Sequence, residues 1–188
     1  MIDLQRVAAD LAIALDRANI GYMIIGGLAV AVWGNARATM DVDVAISTSR
    51  DDISSVLTAL GGQIKDMPPD AAAFASDTGI LPFRHRLGVL VDLGFGDHPY
   101  VLRAIERAVV IELHGVGVKF CSAEDLILHK LIADRDRDRD DIKGIIKRQG
   151  RKLDRAYLDA LVHELAEATS RSDLEEQYRS HFSRNTSM

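Results

Sequence analysis

Two aspartates, Asp41 and Asp43, stand one residue apart in MDVDVAI (residues 40–46), a run in which apolar and acidic residues alternate with period two. That period puts both carboxylates on one face of a strand and Val42 and Val44 on the other. Two carboxylates about 7 Å apart along a strand repel each other unless water or a cation lies between them. Magnesium answers that need, because it takes a few carboxylates and keeps its other positions for water and phosphate oxygens. Upstream, Gly26-Gly27 opens an Ala/Val/Leu run that closes at Gly34. Unpaired N–H groups at a helix start attract phosphate, and glycine lets that phosphate approach the backbone. Taken alone, a Gly-Gly pair is a tight turn and a D-x-D is the solvated face of an edge strand. In the order strand, Gly-Gly, helix, strand with D-x-D, they favour a joint reading in which one element holds a phosphate and the next holds its metal.

The elements that must position these residues are legible from periodicity. Leu4, Val7, Ala8, Leu11, Ala14, Leu15 and Ala18 recur at helical spacing, so residues 3–18 read as an amphipathic helix ended by Asn19 and Gly21. Tyr22 to Ile25 is a short β-prone run ahead of the Gly-Gly turn. A helix is expected over 51–60, stopped by Gly61-Gly62, and Met67 to Thr78, with Pro68-Pro69, reads as a loop or flexible excursion. Arg84 to Phe95 reads as one strand, with Val89, Val91 and Leu93 on one side and Asp92 on the other. Residues 108–120 read as two short strands turning at His114-Gly115. Ser122 to Asp125 has a capping-box pattern opening a helix to about Ala133. Beyond it, helices are expected over 142–147 and 157–168, followed by a short polar tail. The expectation is an α+β fold: a small mixed β-sheet core with flanking helices over 1–121, and a helical region over 122–188 packed on that core.

Bulk properties narrow the classes. At 188 residues, 47% of them hydrophobic, the chain can bury a real core. A net charge of −5 argues against a surface that grips nucleic acid throughout. Cys121 is the only cysteine, so neither an intramolecular disulfide nor a cysteine metal cluster is available, and the six histidines show no ligand spacing. The N-terminus lacks a signal-peptide pattern and the longest apolar run is too short for a bilayer, so a cytoplasmic protein without membrane contact is expected.

The string Ile25-Gly26-Gly27 through Arg37-x-Thr39-x-Asp41-Val42-Asp43-Val44 resembles the nucleotidyltransferase superfamily that includes DNA polymerase β. The spacer here, Leu28 to Met40, is 13 residues, against about ten in that pattern. The R-x-T-x-D-x-D form is closer to abortive-infection toxins of the AbiEii type. A second segment is similar to the same group: Glu124-Asp125-Leu126, Lys130-Leu-Ile-Ala133, then Arg135, Asp138 and Asp141-Ile142. The resemblance implies transfer of a nucleoside monophosphate from a nucleoside triphosphate to an acceptor hydroxyl or phosphate, pyrophosphate leaving, with Asp41 and Asp43 holding two Mg²⁺ (or Mn²⁺) ions. It further implies a third carboxylate on a later strand. Asp92, in LVDLGF, is the candidate, since its competitor Asp97 follows Gly96 past the strand's end.

The resemblance makes Lys130 a triphosphate contact. Its spacing from Leu126 and Ile127 also fits a lysine whose stem covers apolar surface. Arg37 and Thr39 either contact phosphate or brace the strand. In RDRDRDD (135–141) a continuous helix would set like charges at i,i+4, so a turn between helices, with Asp138 or Asp140 capping the second, fits at least as well. Residues 143–155 carry Lys143, Lys147, Arg148, Arg151, Lys152 and Arg155 against Asp154 alone. This is either a dock for a phosphate-rich acceptor such as tRNA or a soluble helix end favoured by the dipole. The expected function is a metal-dependent nucleotidyltransferase acting on RNA, tRNA or protein, as the toxin of a toxin–antitoxin pair with a cognate antitoxin. The alternatives are a catalytically retired nucleotide- or partner-binding module of the same fold, and a D-x-D sugar transferase, which the Gly-Gly turn and Asp92 disfavour.

Overall fold

Helix α1 (Leu4–Arg17) forms where the 3.6-residue stripe predicts it: Val7, Ala8, Leu11, Ala12 and Leu15 are buried, and the Asp3 side chain accepts the Arg6 N–H as its N-cap. Asn19, with φ of 54°, turns the chain out of the helix. The computed structural model describes residues 3–96 and 98–183; Asp97, the competitor to Asp92, lies outside them. The chain divides into two compact units, one of residues 1–29 and 38–122, the other of residues 30–37 and 123–188.

The first unit is built on a seven-stranded mixed sheet. After β1 (Tyr22–Ile25), helix α2 (Gly26–Trp33) starts at once, its last four residues belonging to the second unit. Then come β2 (Asp41–Ile46), α3 (Ile53–Leu60), β3 (Ile64–Asp66), α4 (Ala71–Thr78), β4 (Ile80–His85), β5 (Leu90–Phe95), α5 (Pro99–Glu106), β6 (Val109–Leu113) and β7 (Val116–Phe120). The strand order is β3-β4-β5-β2-β1-β7-β6, with β2 parallel to β5 and antiparallel to β1. Val42, Val44, Ile46, Val91 and Leu93 are fully buried, and α1 packs on β1, β2, β6 and β7. The hairpin β6–β7 turns at His114-Gly115, both with positive φ, as the sequence predicts.

Two expectations are corrected. Residues 84–95 are not one strand but parts of two antiparallel strands, β4 and β5, joined through Gly88 at φ of 85°. The turn is held by the Arg84 guanidinium, which donates to the Gly88 carbonyl at 2.8 Å. Met67 to Thr78 is not all loop: Ala71 and Ala75, four apart, are buried on one side of α4, whose end is set by Gly79 in the left-handed region. Helix α5, in a segment for which no element was expected, starts with Pro99, and the His98 ring accepts the Tyr100 N–H at the N-cap.

The second unit is helical: α6 (Ala123–Ala133), α7 (Asp136–Gln149), α8 (Arg155–Thr169) and α9 (Leu174–Ser183). The chain does turn between α6 and α7, at Asp134 with φ of 44° and Arg135, but Asp136 to Asp141 of the RDRDRDD run are not that turn; they form the start of α7. Asp138 serves that turn from inside the helix, accepting the Arg135 N–H at 3.2 Å. The expected polar tail is in part α9, which buries Leu174 and Tyr178 at i,i+4 spacing. Among the described residues no helix is long and apolar enough to cross a membrane.

Candidate active site

Parallel pairing of β2 and β5 sets Asp43 directly beside Asp92 and Asp41 beside Leu90. Because side chains alternate along each strand, Asp41, Asp43 and Asp92 share one face while the valines between them fill the core on the other. One carboxylate oxygen from each of the three lies within 4.8 Å of the others. Partial burial, and secondarily the neighbouring Asp41 carboxylate, holds the Asp92 carboxyl above the ordinary aspartate range. An all-oxygen donor set of three carboxylates on two adjacent strands is what a hard divalent cation takes, so the residues fit magnesium or manganese.

The two glycines explain how these carboxylates sit where they do. Pairing of β1 with β2 puts Ile25 opposite Asp43, so the next residue, Gly26, stands against the Asp43 side chain. A Cβ at Gly26 would lie 1.8 Å from Asp43 Oδ2, and its φ of +63° is itself a glycine conformation. A Cβ at Gly27 would lie 2.4 Å from Thr39 Oγ1. Thr39 in turn donates its hydroxyl to Asp41 Oδ1 at 2.6 Å. The N-terminus of α2 thus adjoins the carboxylate cluster.

Arg37 and Lys130 belong to the second unit, and there they meet the same carboxylate. Arg37 grips Asp141 with two nitrogens, Nε to Oδ1 at 3.0 Å and Nη2 to Oδ2 at 3.1 Å. Lys130 Nζ lies 2.6 Å from Asp138 Oδ1 and 2.9 Å from Asp141 Oδ2, and Arg135 Nε reaches Asp138 Oδ2 at 3.1 Å. Burial raises the Asp141 carboxyl, but hydrogen bonds from Arg37 and Lys130 outweigh it and hold the group below the usual range. Lys130, Asp138 and Asp141 are all buried. Of the three matched positions in the charge run, all take part in this network.

The basic stretch is partly committed to structure as well. Arg148 donates to the Gly34 carbonyl at 2.7 Å, Lys143 pairs with Asp140, and the Arg155 guanidinium lies 3.6 Å from the centre of the Phe182 ring. Lys147, Arg151 and Lys152 are solvent-exposed. What sequence reasoning missed is the relation of each glycine to the row Thr39, Asp41, Asp43. The available signal was the period of two, which Thr39 continues.

The mixed sheet that carries the three clustered carboxylates and the Gly-Gly helix start has a nucleotidyltransferase-type fold, and the comparisons agree on that fold. The chain belongs to the family described as "Nucleotidyl transferase AbiEii toxin, Type IV TA system", whose model matches residues 18–146. Nucleotidyl transfer is the activity class of that family. The fold is similar to a crystal structure of an antigenic nucleotidyltransferase-like protein from Paracoccidioides brasiliensis, at 21% identity, TM-score 0.55, covering 94% of this chain and 92% of that one. It is also similar to the solution structure of the antibiotic-resistance factor ANT(2'')-Ia, at 16% identity and TM-score 0.52, covering 89% of this chain and 95% of that one. At these identities the likeness establishes the fold. No curated protein matches the chain.

Proposed function

We propose that this chain transfers a nucleoside monophosphate from a nucleoside triphosphate to an acceptor hydroxyl or phosphate, with pyrophosphate leaving. The observation that carries the reading is the meeting of Asp41, Asp43 and Asp92 within 4.8 Å on the face of β2 and β5. In this reading Asp41, Asp43 and Asp92 hold divalent cations, Mg²⁺ or Mn²⁺. When bound, such ions supply neutralisation of phosphate charge and activation of the attacking oxygen. The amides at Gly26 and Gly27 orient a phosphate beside the carboxylates, since a helix start offers unpaired donors and a positive dipole end. The sheet fixes the three carboxylates before substrate arrives, so little reorganisation is left for the reaction itself. Arg37 and Lys130, expected as phosphate contacts, both hold Asp141. The acceptor is RNA, tRNA or a protein, and the biological role is that of a cytoplasmic toxin restrained by a cognate antitoxin.

The test is incubation of purified protein with each α-³²P nucleoside triphosphate, Mg²⁺ or Mn²⁺, total RNA and protein extract, beside the Asp41→Ala/Asp43→Ala variant. Label moving to an RNA or protein band with the native protein alone supports the reading and names the acceptor class. Triphosphate and metal binding without any transfer would leave a retired binding module, and no binding would sink the site.

A further inference from the structure

The Thr39 hydroxyl has one proton, and it goes to Asp41 Oδ1 over 2.6 Å, the length of a charge-assisted O–H···O⁻ bond. That proton is not available to a phosphate. Rotation of an aspartate carboxylate about χ2 is soft and roughly two-fold, so rotamer preference alone does not fix the plane of Asp41. The Thr39 bond does. Thr39 itself is seated by what residue 27 lacks: a Cβ there would lie 2.4 Å from Oγ1, 2.7 Å from Cβ and 3.1 Å from Cγ2 of Thr39. The whole threonine side chain therefore occupies the space over Gly27, as the Asp43 carboxylate occupies the space over Gly26.

We infer that Thr39 is a positioning residue that sets the Asp41 carboxylate for divalent-cation binding, and that residue 27 is glycine in order to seat Thr39. The inference rests on the metal-holding reading of Asp41, Asp43 and Asp92. It goes beyond that reading by giving Thr39 a role toward the carboxylate and Gly27 a steric role separate from any phosphate. Partners that orient metal ligands through hydrogen bonds affect affinity by roughly 10- to 100-fold.

The experiment is Mn²⁺ titration of the full chain without nucleotide, followed by electron paramagnetic resonance of the free ion, with thermal unfolding measured alongside. The variants are Thr39→Ser, Thr39→Val and Gly27→Ala. Expected is near-native Mn²⁺ affinity for Thr39→Ser, which keeps the hydroxyl, and a loss of roughly 10- to 100-fold for Thr39→Val. Gly27→Ala, which displaces Thr39, should fall with Thr39→Val. If Thr39→Val does not fold, Thr39→Ala, which only shortens the side chain, carries the same comparison. A hydroxyl that merely staples the loop would lower the Tm of Thr39→Val and leave Mn²⁺ affinity at the native value, and that result overturns the inference. Equal losses in Thr39→Ser and Thr39→Val would overturn it too. If the native chain binds no Mn²⁺, the metal reading itself fails and takes the inference with it. If the native chain binds and the valine variant binds equally well, only the inference fails.

Discussion

Replacing Lys130 by methionine separates two readings of that residue. As a triphosphate contact, Lys130 would matter to substrate affinity and little to folding. Its observed surroundings predict the reverse. The ammonium is buried between Asp138 and Asp141, at 2.6 and 2.9 Å, and Lys130→Met keeps most of the stem while removing the charge from both carboxylates at once. Removing one partner of a buried pair costs about 3–5 kcal/mol, because it strands charge in a low-dielectric interior. Here each carboxylate keeps one guanidinium, Arg37 on Asp141 and the more exposed Arg135 on Asp138, so the lower end, about 3 kcal/mol, is expected. For a chain of this size that is a fall in Tm of about 6–12 °C. Salt should change it little, since buried pairs are weakly screened. Pairing the change with Asp138→Asn should cost less than the sum of the two single losses, as the second change removes the stranded charge. Urea and thermal unfolding of the four proteins, with the apparent KM for triphosphate measured on each, make the test. A Lys130→Met protein with native Tm and a raised KM would refute the structural reasoning and restore the phosphate contact.

Gly26→Ala should be more damaging than Gly27→Ala, because it adds a left-handed backbone cost of about 1–2 kcal/mol to the displacement of Asp43, and a native Tm in thermal unfolding would contradict this. Excess Mg²⁺ should raise the Tm of the native chain, as any ligand selective for the folded state does, and chelation should reverse it; Asp92→Asn should lose most of that rise in differential scanning fluorimetry. Stability should also fall in mild acid. Burial, then the nearby Lys130 charge, pulls His129 down to about 4, so the folded chain keeps the ring neutral while the unfolded chain takes up a proton below about 6.5. That stability is present above pH 6.5 and lost as pH falls toward 4, up to ~2 kcal/mol of it by pH 5. His129→Asn should flatten the pH dependence of the urea midpoint, and an unchanged slope would remove His129 as its source.

What could be read in advance follows the range over which each pattern acts. The β1–α2–β2 segment was legible because its signals are local: a period of two in DVDVAI, a Gly-Gly stop, an apolar run. Asp92 could be picked from LVDLGF for the same reason. The β4–β5 hairpin was not, because Leu87, Val89 and Val91 continue an apolar alternation straight through the turn, and only Gly88 marks it. Helix α4 was hidden by its small core face of Ala71 and Ala75, too weak against Pro68-Pro69 to announce an amphipathic stripe. Helix α9 was hidden likewise, since two buried residues in a polar decade carry its docking.

The site divides along the same line. Residue types told where carboxylates cluster, since a strand fixes the direction of alternate side chains. They could not tell what Arg37 and Lys130 hold, because each answer depends on a contact whose partner is set by a chain reversal or by the fold, whereas Thr39 holds Asp41 only two residues away. Arg37 reaches Asp141 across 104 residues, and Lys130 reaches Asp138 only because the helix breaks at Asp134, where φ turns positive. Had α6 and α7 been one straight helix, Lys130 and Asp138 would lie about 12 Å apart along the axis, beyond any ion pair. The break at Asp134, just ahead of the Arg/Asp run, is therefore what buries the lysine. It converts a position that reads as a phosphate contact into one whose charge is already spoken for.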